Sequence, residues 1–201
     1  PVTVKIRKDF KSGKLLAPDF AARMEQAGAS AVAVHGRSAG QLYSGSADWS
    51  VIDAVADRVS IPVIGTGDVF CAQDAANMLA QTAASAVFIA RGTYGNPWIF
   101  QDAAALSAGS PLPVHDAYER LAALREHVEL LDSLGGHMAK ARTFATWYLK
   151  GIPHAAFWRG RSVRYSTTQE FLDLADAIER DLAQCEELAG KGLPIPHDPF
   201  I

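Results

Sequence analysis

Apolar runs and helical stretches alternate four times along the first hundred residues. Val2 to Arg7 (VTVKIR) reads as a strand with Lys5 inside its run. A polar loop, Asp9 to Leu16, follows. Pro18 then suits the first turn of a helix whose apolar positions Phe20, Ala21, Met24 and Ala27 share one face before Gly28 ends it. Ala31 to Val34 is a second strand that runs into His35-Gly36-Arg37, and Asp48-Trp49-Ser50 opens a short helix ending near Val59. Ile61 to Gly92 supplies a strand ending in Gly65-Thr66-Gly67-Asp68, a helix, and a last strand ending in Ala90-Arg91-Gly92. These last two strands are nearly unbroken by polar residues, the pattern of a parallel sheet covered on both faces.

Beyond Trp98-Ile99-Phe100 the pattern changes. Ala103 to Pro113 (AAALSAGSPLP) reads as a small-residue linker, and the domain boundary falls at residues 106–114. Three helical faces follow in residues 115–201. They are Ala117/Leu121/Leu124/Val128/Leu131, stopped by Gly135-Gly136; Met138/Ala141/Ala145/Tyr148, stopped near Gly151 and Pro153; and Phe171/Leu174/Ala175/Ile178/Leu182/Cys185, opened by a Thr167–Glu170 capping box. The predicted architecture is therefore α/β over residues 1–105 followed by a small all-helical domain. Four parallel strands do not close a barrel, which takes eight, and an open half-barrel exposes both sheet edges. The expectation is that these are the last four units of a (β/α)8 barrel whose other half lies upstream. The 201 residues alone are then not expected to form a stable, active protein.

Composition narrows the class. With 49% hydrophobic and 20% charged residues the chain is that of a soluble globular protein. It has no apolar run of about 18 residues and no signal-peptide pattern, so a cytoplasmic protein without membrane partners is expected. Cys71 and Cys185 lie far apart without metal-ligand spacing, which predicts reduced thiols and no metal site. Charge is unevenly spread. No Asp or Glu occurs between Ser133 and Gln169, where Lys140, Arg142, Lys150, Arg159, Arg161 and Arg164 lie with His137 and His154. With six of the 19 cations there, 13 remain against all 22 acidic residues. Interleaved are Phe144, Trp147, Tyr148, Phe157, Trp158 and Tyr165. This mixture suits an RNA backbone with unstacked bases, or else a helical core with a solvated cationic face.

Candidate chemistry gathers at strand ends. Gly67 and Gly92 would let backbone amides approach an anion, and Arg91 adds a planar cationic fork, a combination that reads as a phosphate cradle. In a (β/α)8 barrel the loops after the last two strands commonly hold phosphate. Lys5 is either an edge-strand gatekeeper or a side chain pointing into a site. His35 is either a site residue or a core histidine donating to a carbonyl.

VKIR at Val4 to Arg7, VHGR at Val34 to Arg37, QLYSGSADW at Gln41 to Trp49, IPVIGTGD at Ile61 to Asp68, ARG followed by NPWIF at Ala90 to Phe100, and WYLKG at Trp147 to Gly151 have the order and spacing of a known family. The chain resembles the bacterial tRNA-dihydrouridine synthases, most closely the B type. The resemblance implies the C-terminal half of an FMN-binding TIM barrel plus a helical domain that grips tRNA. The implied activity is NADPH-linked reduction of tRNA uridine to 5,6-dihydrouridine by a protein monomeric at full length. Position by position, it implies that Lys5 and His35 hydrogen-bond the flavin ring, Thr66, Gly67 and Asp68 meet the cofactor, and Ala90-Arg91 bind its phosphate. Tyr43, Lys140, Arg142, Lys150, Arg159 and Arg161 are the expected RNA contacts. Thr66 stands where the family has Asn, Ala90 where it has Gly, and Arg142-Thr143-Phe144 where it has Arg-Lys-His. The family's catalytic cysteine, in a first-half-barrel loop, has no counterpart here, and neither Cys71 nor Cys185 takes that role. Two other readings of the residues are a phosphate-binding barrel isomerase or lyase using His35 and Lys5, and a non-catalytic RNA-binding remnant.

Overall fold

The computed structural model of the chain describes residues 1–10 and 14–199; Lys11 to Gly13 of the first polar loop, and Phe200 and Ile201, lie outside the described residues. The chain divides into two compact units. One comprises Pro1–Thr93 with Trp98–Leu112, the other Tyr94–Pro97 with the chain from Pro113 onward.

The first unit is α/β. Strands β1 (Thr3–Arg7), β2 (Ala31–His35), β3 (Val63–Thr66) and β4 (Ala86–Phe88) pair in chain order, all parallel. Helices α1 (Ala17–Gln26), α2 (Ser50–Ala56) and α3 (Ala72–Gln81) connect them, and α4 (Ile99–Ser107) follows. The register aligns Ile6 with Val34, Val32 with Val63, and Val34 with Gly65. With the period of two, these residues share one face, where they join Ala21, Ile52, Val55, Ala75 and Met78 of the helices in a single core. The arrangement is that of a partial TIM-like barrel.

The opposite face carries Lys5, Arg7, Ala33, His35, Ile64, Thr66, Ala86 and Phe88 by the same register. The expectation that the last two strands are covered on both faces is corrected here. Ala86 is exposed and Phe88 is 47% exposed. Among the described residues, helices cover one face, and β1 and β4 are the edge strands.

The second unit is all-helical: α5 (Ala117–Ser133), α6 (Ala139–Tyr148), α7 (Ala155–Ser162) and α8 (Thr168–Gly190). Its core joins Leu121, Leu124, Tyr148, Trp158, Phe171 and Ile178. Capping boxes open α5 at Asp116/Glu119 and α8 at Thr167/Glu170. Two expectations change. The stretch Ala103 to Ser107 belongs to α4 rather than to a linker, because an alanine-rich run has high helix propensity when no breaker precedes Gly109. A fourth helix, α7, follows directly on the Gly151 and Pro153 that read as a stop; His154 enters it in the left-handed conformation at φ 52°. Among the described residues no helix is long and apolar enough to cross a membrane.

Candidate functional site

The carboxyl ends of the strands bring together Lys5, His35, Thr66, Gly67, Asp68 and Arg91. Lys5 and His35 lie on the open face of the sheet because their register positions alternate with the core residues. His35 Nδ1 accepts the backbone N–H of Arg37 at 3.1 Å, so the neutral ring carries its hydrogen on Nε2. Burial, then the charges of Arg7, Lys5 and Arg37, push its pKa down to about 4, with Asp68 opposing. It is thus a neutral donor at pH 7. Burial and the neighbouring Arg7 also lower the Lys5 ammonium pKa. Thr66 is buried on the same face.

The loops beyond β2, β3 and β4 are joined by charge. Arg37, only 2% exposed, makes a fork onto Asp68 with both contacts at 2.7 Å. The same guanidinium donates to the carbonyls of Ser44 and Gly45. Asp68 also accepts the Ala47 N–H at 2.7 Å and Arg91 at 3.1 Å. Burial works against its charge, but the hydrogen bonds from Arg37 and Ala47 and the charges of Arg37 and Arg91 hold its carboxyl below the usual range. Arg91 in turn lies beneath the Tyr43 ring at 4.3 Å and near the Phe70 ring at 5.0 Å. Tyr43, an expected RNA contact, is therefore part of the surroundings of Arg91, with 63% of its surface still exposed.

The glycines also have a packing role. A Cβ on Gly67 would lie 2.7 Å from the Ala47 Cβ, and one on Gly92 would strike the Val69 carbonyl oxygen. The side where a Cβ would stand is filled by neighbouring loops, so glycine is required at both positions for the loops to pack. Gly67 (φ 122°) and Asp68 (φ 57°) form a left-handed turn, held by the Trp49 indole N–H on the Gly67 carbonyl at 2.9 Å. Ala90 is exposed, its carbonyl accepting from the Thr93 amide and hydroxyl. Arg37 had no assigned role in the sequence; a charged residue directly after a strand-ending His-Gly was the available signal.

In the helical unit, Lys140, Lys150, Arg161 and Arg164 are exposed, while Arg142 and Arg159 are half-buried. Arg142 Nε donates to the Tyr165 carbonyl at 2.7 Å, which ties it into the fold. Rings expected to receive bases are engaged with other rings. Trp147 stacks on Tyr94 at 3.8 Å, Phe144 on His127 at 3.8 Å, Phe157 packs edge-on against Trp158, and Tyr165 edge-on against Phe171. Tyr148 and Trp158 are core. The basic island therefore presents charge, with its aromatic residues committed to packing. An open cavity of about 540 Å³ on this unit is lined by Ala156, Phe157, Gly160, Arg161 and Arg164.

Fold and site together define a parallel α/β unit with cationic groups at the carboxyl ends of its strands, joined in sequence to a helical unit bearing a basic island. The family model of dihydrouridine synthase (Dus) matches residues 1–183, and the chain belongs to that family. It is 36% identical over 184 residues to "Probable tRNA-dihydrouridine synthase" of Mycobacterium tuberculosis (strain CDC 1551 / Oshkosh), covering 89% of this chain and 47% of that protein. It is 34% identical over 179 residues to "Probable tRNA-dihydrouridine synthase 1" of Synechocystis sp., covering 88% and 50%. A third relative, "Probable tRNA-dihydrouridine synthase" of Rhizobium leguminosarum bv. phaseoli, is 39% identical over 153 residues, covering 75% and 46%. The chain spans about half the length of these curated relatives.

Proposed function

We propose that this chain forms the flavin-phosphate side and the tRNA-binding unit of an FMN-dependent tRNA-dihydrouridine synthase. In this reading, β1 to β4 are the last four units of a (β/α)8 barrel, and the cysteine acid lies in a part of the protein outside these residues. The observation that carries it is the open sheet face on which Lys5 and a neutral His35 stand together, with Arg91 two strands further on. Membership of the dihydrouridine synthase family supports the same reading.

The donor set fits FMN. Lys5 and the Nε2–H of His35 are suited to the oxygen- and nitrogen-bearing edge of the flavin ring, and Arg91 to its phosphate. When bound, FMN supplies the hydride that reduction of the uracil 5,6 double bond requires, with NADPH as the reductant. Lys5 adds positive charge beside that edge. Because His35 is neutral, it orients the ring by donating a hydrogen bond and keeps its own proton. The uridine must leave its stack to reach the flavin, and the exposed cations Lys140, Lys150, Arg161 and Arg164 hold the tRNA backbone while it does.

The isomerase or lyase reading finds less support, since a histidine pushed down to about 4 is a poor proton donor at neutral pH. The test uses the full-length protein. Purified protein should carry flavin absorbance and form dihydrouridine in tRNA with NADPH. Arg91→Ala should lower FMN affinity by roughly tenfold or more and leave tRNA affinity within about twofold. A protein without flavin that still isomerises or cleaves a phosphorylated small molecule would sink the proposal. One that binds tRNA and never reduces it would favour the non-catalytic reading.

A further inference from the structure

We propose that Arg37 is a positioning residue for the flavin phosphate: by neutralising Asp68 it leaves the charge of Arg91 uncancelled, and by holding the Ser44–Gly45 backbone it keeps Tyr43 over the Arg91 guanidinium. The inference rests on the FMN reading and assigns a role to a residue that makes no direct approach to the ligand.

Arg91 is the cation available to a phosphate, yet it is tethered to a carboxylate, Asp68, at 3.1 Å. A lone Arg–Asp pair is neutral and would have little attraction left for an anion. Here the carboxylate has a second and better partner. Arg37 is 2% exposed and engages both Asp68 oxygens at 2.7 Å, a paired fork geometry that Arg91 does not share. Two guanidinium groups on one carboxylate leave a net charge of about +1. Arg37 cannot express that charge, since it is enclosed by Asp68 and the carbonyls of Ser44 and Gly45. Arg91 can. Its side chain is 28% exposed, it lies near the Tyr43 and Phe70 rings, and one nitrogen is tied to Asp68.

Asp68 thus serves as an aiming strut. Its left-handed backbone at φ 57° is held by Ala47, Arg37 and Arg91 converging on one carboxylate. Removing Arg37 would shift Asp68 onto Arg91 and cancel the site's charge. It would also free the loop that carries Tyr43.

The test separates charge from structure by comparing FMN with riboflavin, which has the same ring system and no phosphate. Apo-protein of full length is titrated with each, following flavin fluorescence. Arg37→Gln should weaken FMN by roughly tenfold or more and change riboflavin by less than about twofold. The double variant Arg37→Gln with Asp68→Asn restores the net charge but not the tethers to Ser44 and Gly45, and should recover FMN affinity by about threefold or more over Arg37→Gln without reaching wild type. Equal losses for both flavins, or no recovery in the double variant, would overturn the inference. If Arg37→Gln does not fold, the double variant decides alone: a retained preference for FMN over riboflavin sustains the proposal, and a lost preference overturns it. Wild-type protein that binds neither flavin would bring down the FMN reading itself, whereas flavin binding without this signature overturns only the role of Arg37.

Discussion

At the scale of single residues, two histidines give opposite pH signatures. His154 Nδ1 lies 2.7 Å from the Asp181 carboxylate and Nε2 2.8 Å from the Pro196 carbonyl oxygen. Both partners are oxygens that accept, so the surroundings favour a cationic imidazole with hydrogen on both ring nitrogens. Burial opposes that charge, but the hydrogen bonds to Asp181 and Pro196 and the charges of Asp181 and Asp198 outweigh it, and the pKa is raised. Cys185 lies beside the same carboxylate, its thiol pKa raised by burial and by Asp181. A raised folded pKa stabilises fully below the unfolded value of about 6.5 and is lost as pH climbs through the folded value. His154→Gln should therefore lower the melting temperature clearly at pH 6 and only slightly at pH 9. Thermal melts at the two pH values check this, and equal losses would show that the charge is not what matters. His35 runs the other way: its contribution is present above about 6.5 and fades as pH falls towards 4. An NMR titration of its ring nitrogens should find the neutral Nε2–H form at pH 6. His35 could be picked out at a strand end from sequence. Its tautomer could not, because that depends on where the Arg37 amide points.

At the scale of elements, the strong signals were caps and apolar faces. Asp116 opens α5 by accepting the Glu119 N–H at 2.8 Å, and the Glu119 carboxylate accepts in turn from the Asp116 amide N–H. Asp116→Ala should cost about 1 kcal/mol, measured by urea unfolding followed through helical circular dichroism. Leu124, fully buried among α5, α6 and α8 residues, should cost about 2 to 5 kcal/mol as Leu124→Ala in the same measurement. If the cap substitution cost as much as the core one, the cap would be serving some contact beyond the helix end. The weak signals were the short elements. Helix α7 follows two strong breakers, and only tertiary packing, with Trp158 buried and its indole N–H on Asp181 at 3.0 Å, makes eight residues helical.

At the scale of the whole molecule, the basic island has a measurable consequence in the full-length protein. Arg142 is held by the Tyr165 carbonyl, so its replacement would mix folding with binding. Lys140, Arg161 and Arg164 are exposed and make the cleaner test. Replacing all three with Ala should reduce the slope of log affinity against log salt for tRNA by roughly 2 to 3, with flavin content unchanged. An unchanged slope would move the RNA contact to another surface. Since Trp147 stacks on Tyr94 and Phe144 on His127, little preference among bases is expected from these rings.

The alternation of apolar runs and helical periods, read along the chain, was enough for four parallel strands, their order of connection and the helical faces of α5, α6 and α8; it also singled out Lys5, His35 and Arg91 as candidates, though not Arg37. Those are local properties: side-chain period, propensity and capping act within a few residues. What tertiary structure decided was every pairing between loops. How closely neighbouring loops approach Gly67 and Gly92, whether the ring-bearing residues were free or stacked, and whether Arg91 kept its charge beside Asp68 all depend on segments brought together from distant positions. Arg37 lies 31 residues from Asp68, and no pattern in the intervening sequence sets that contact. Periodicity reports which way a side chain points from its own element; what it meets there is settled by the register of the sheet and the packing of the loops beyond it.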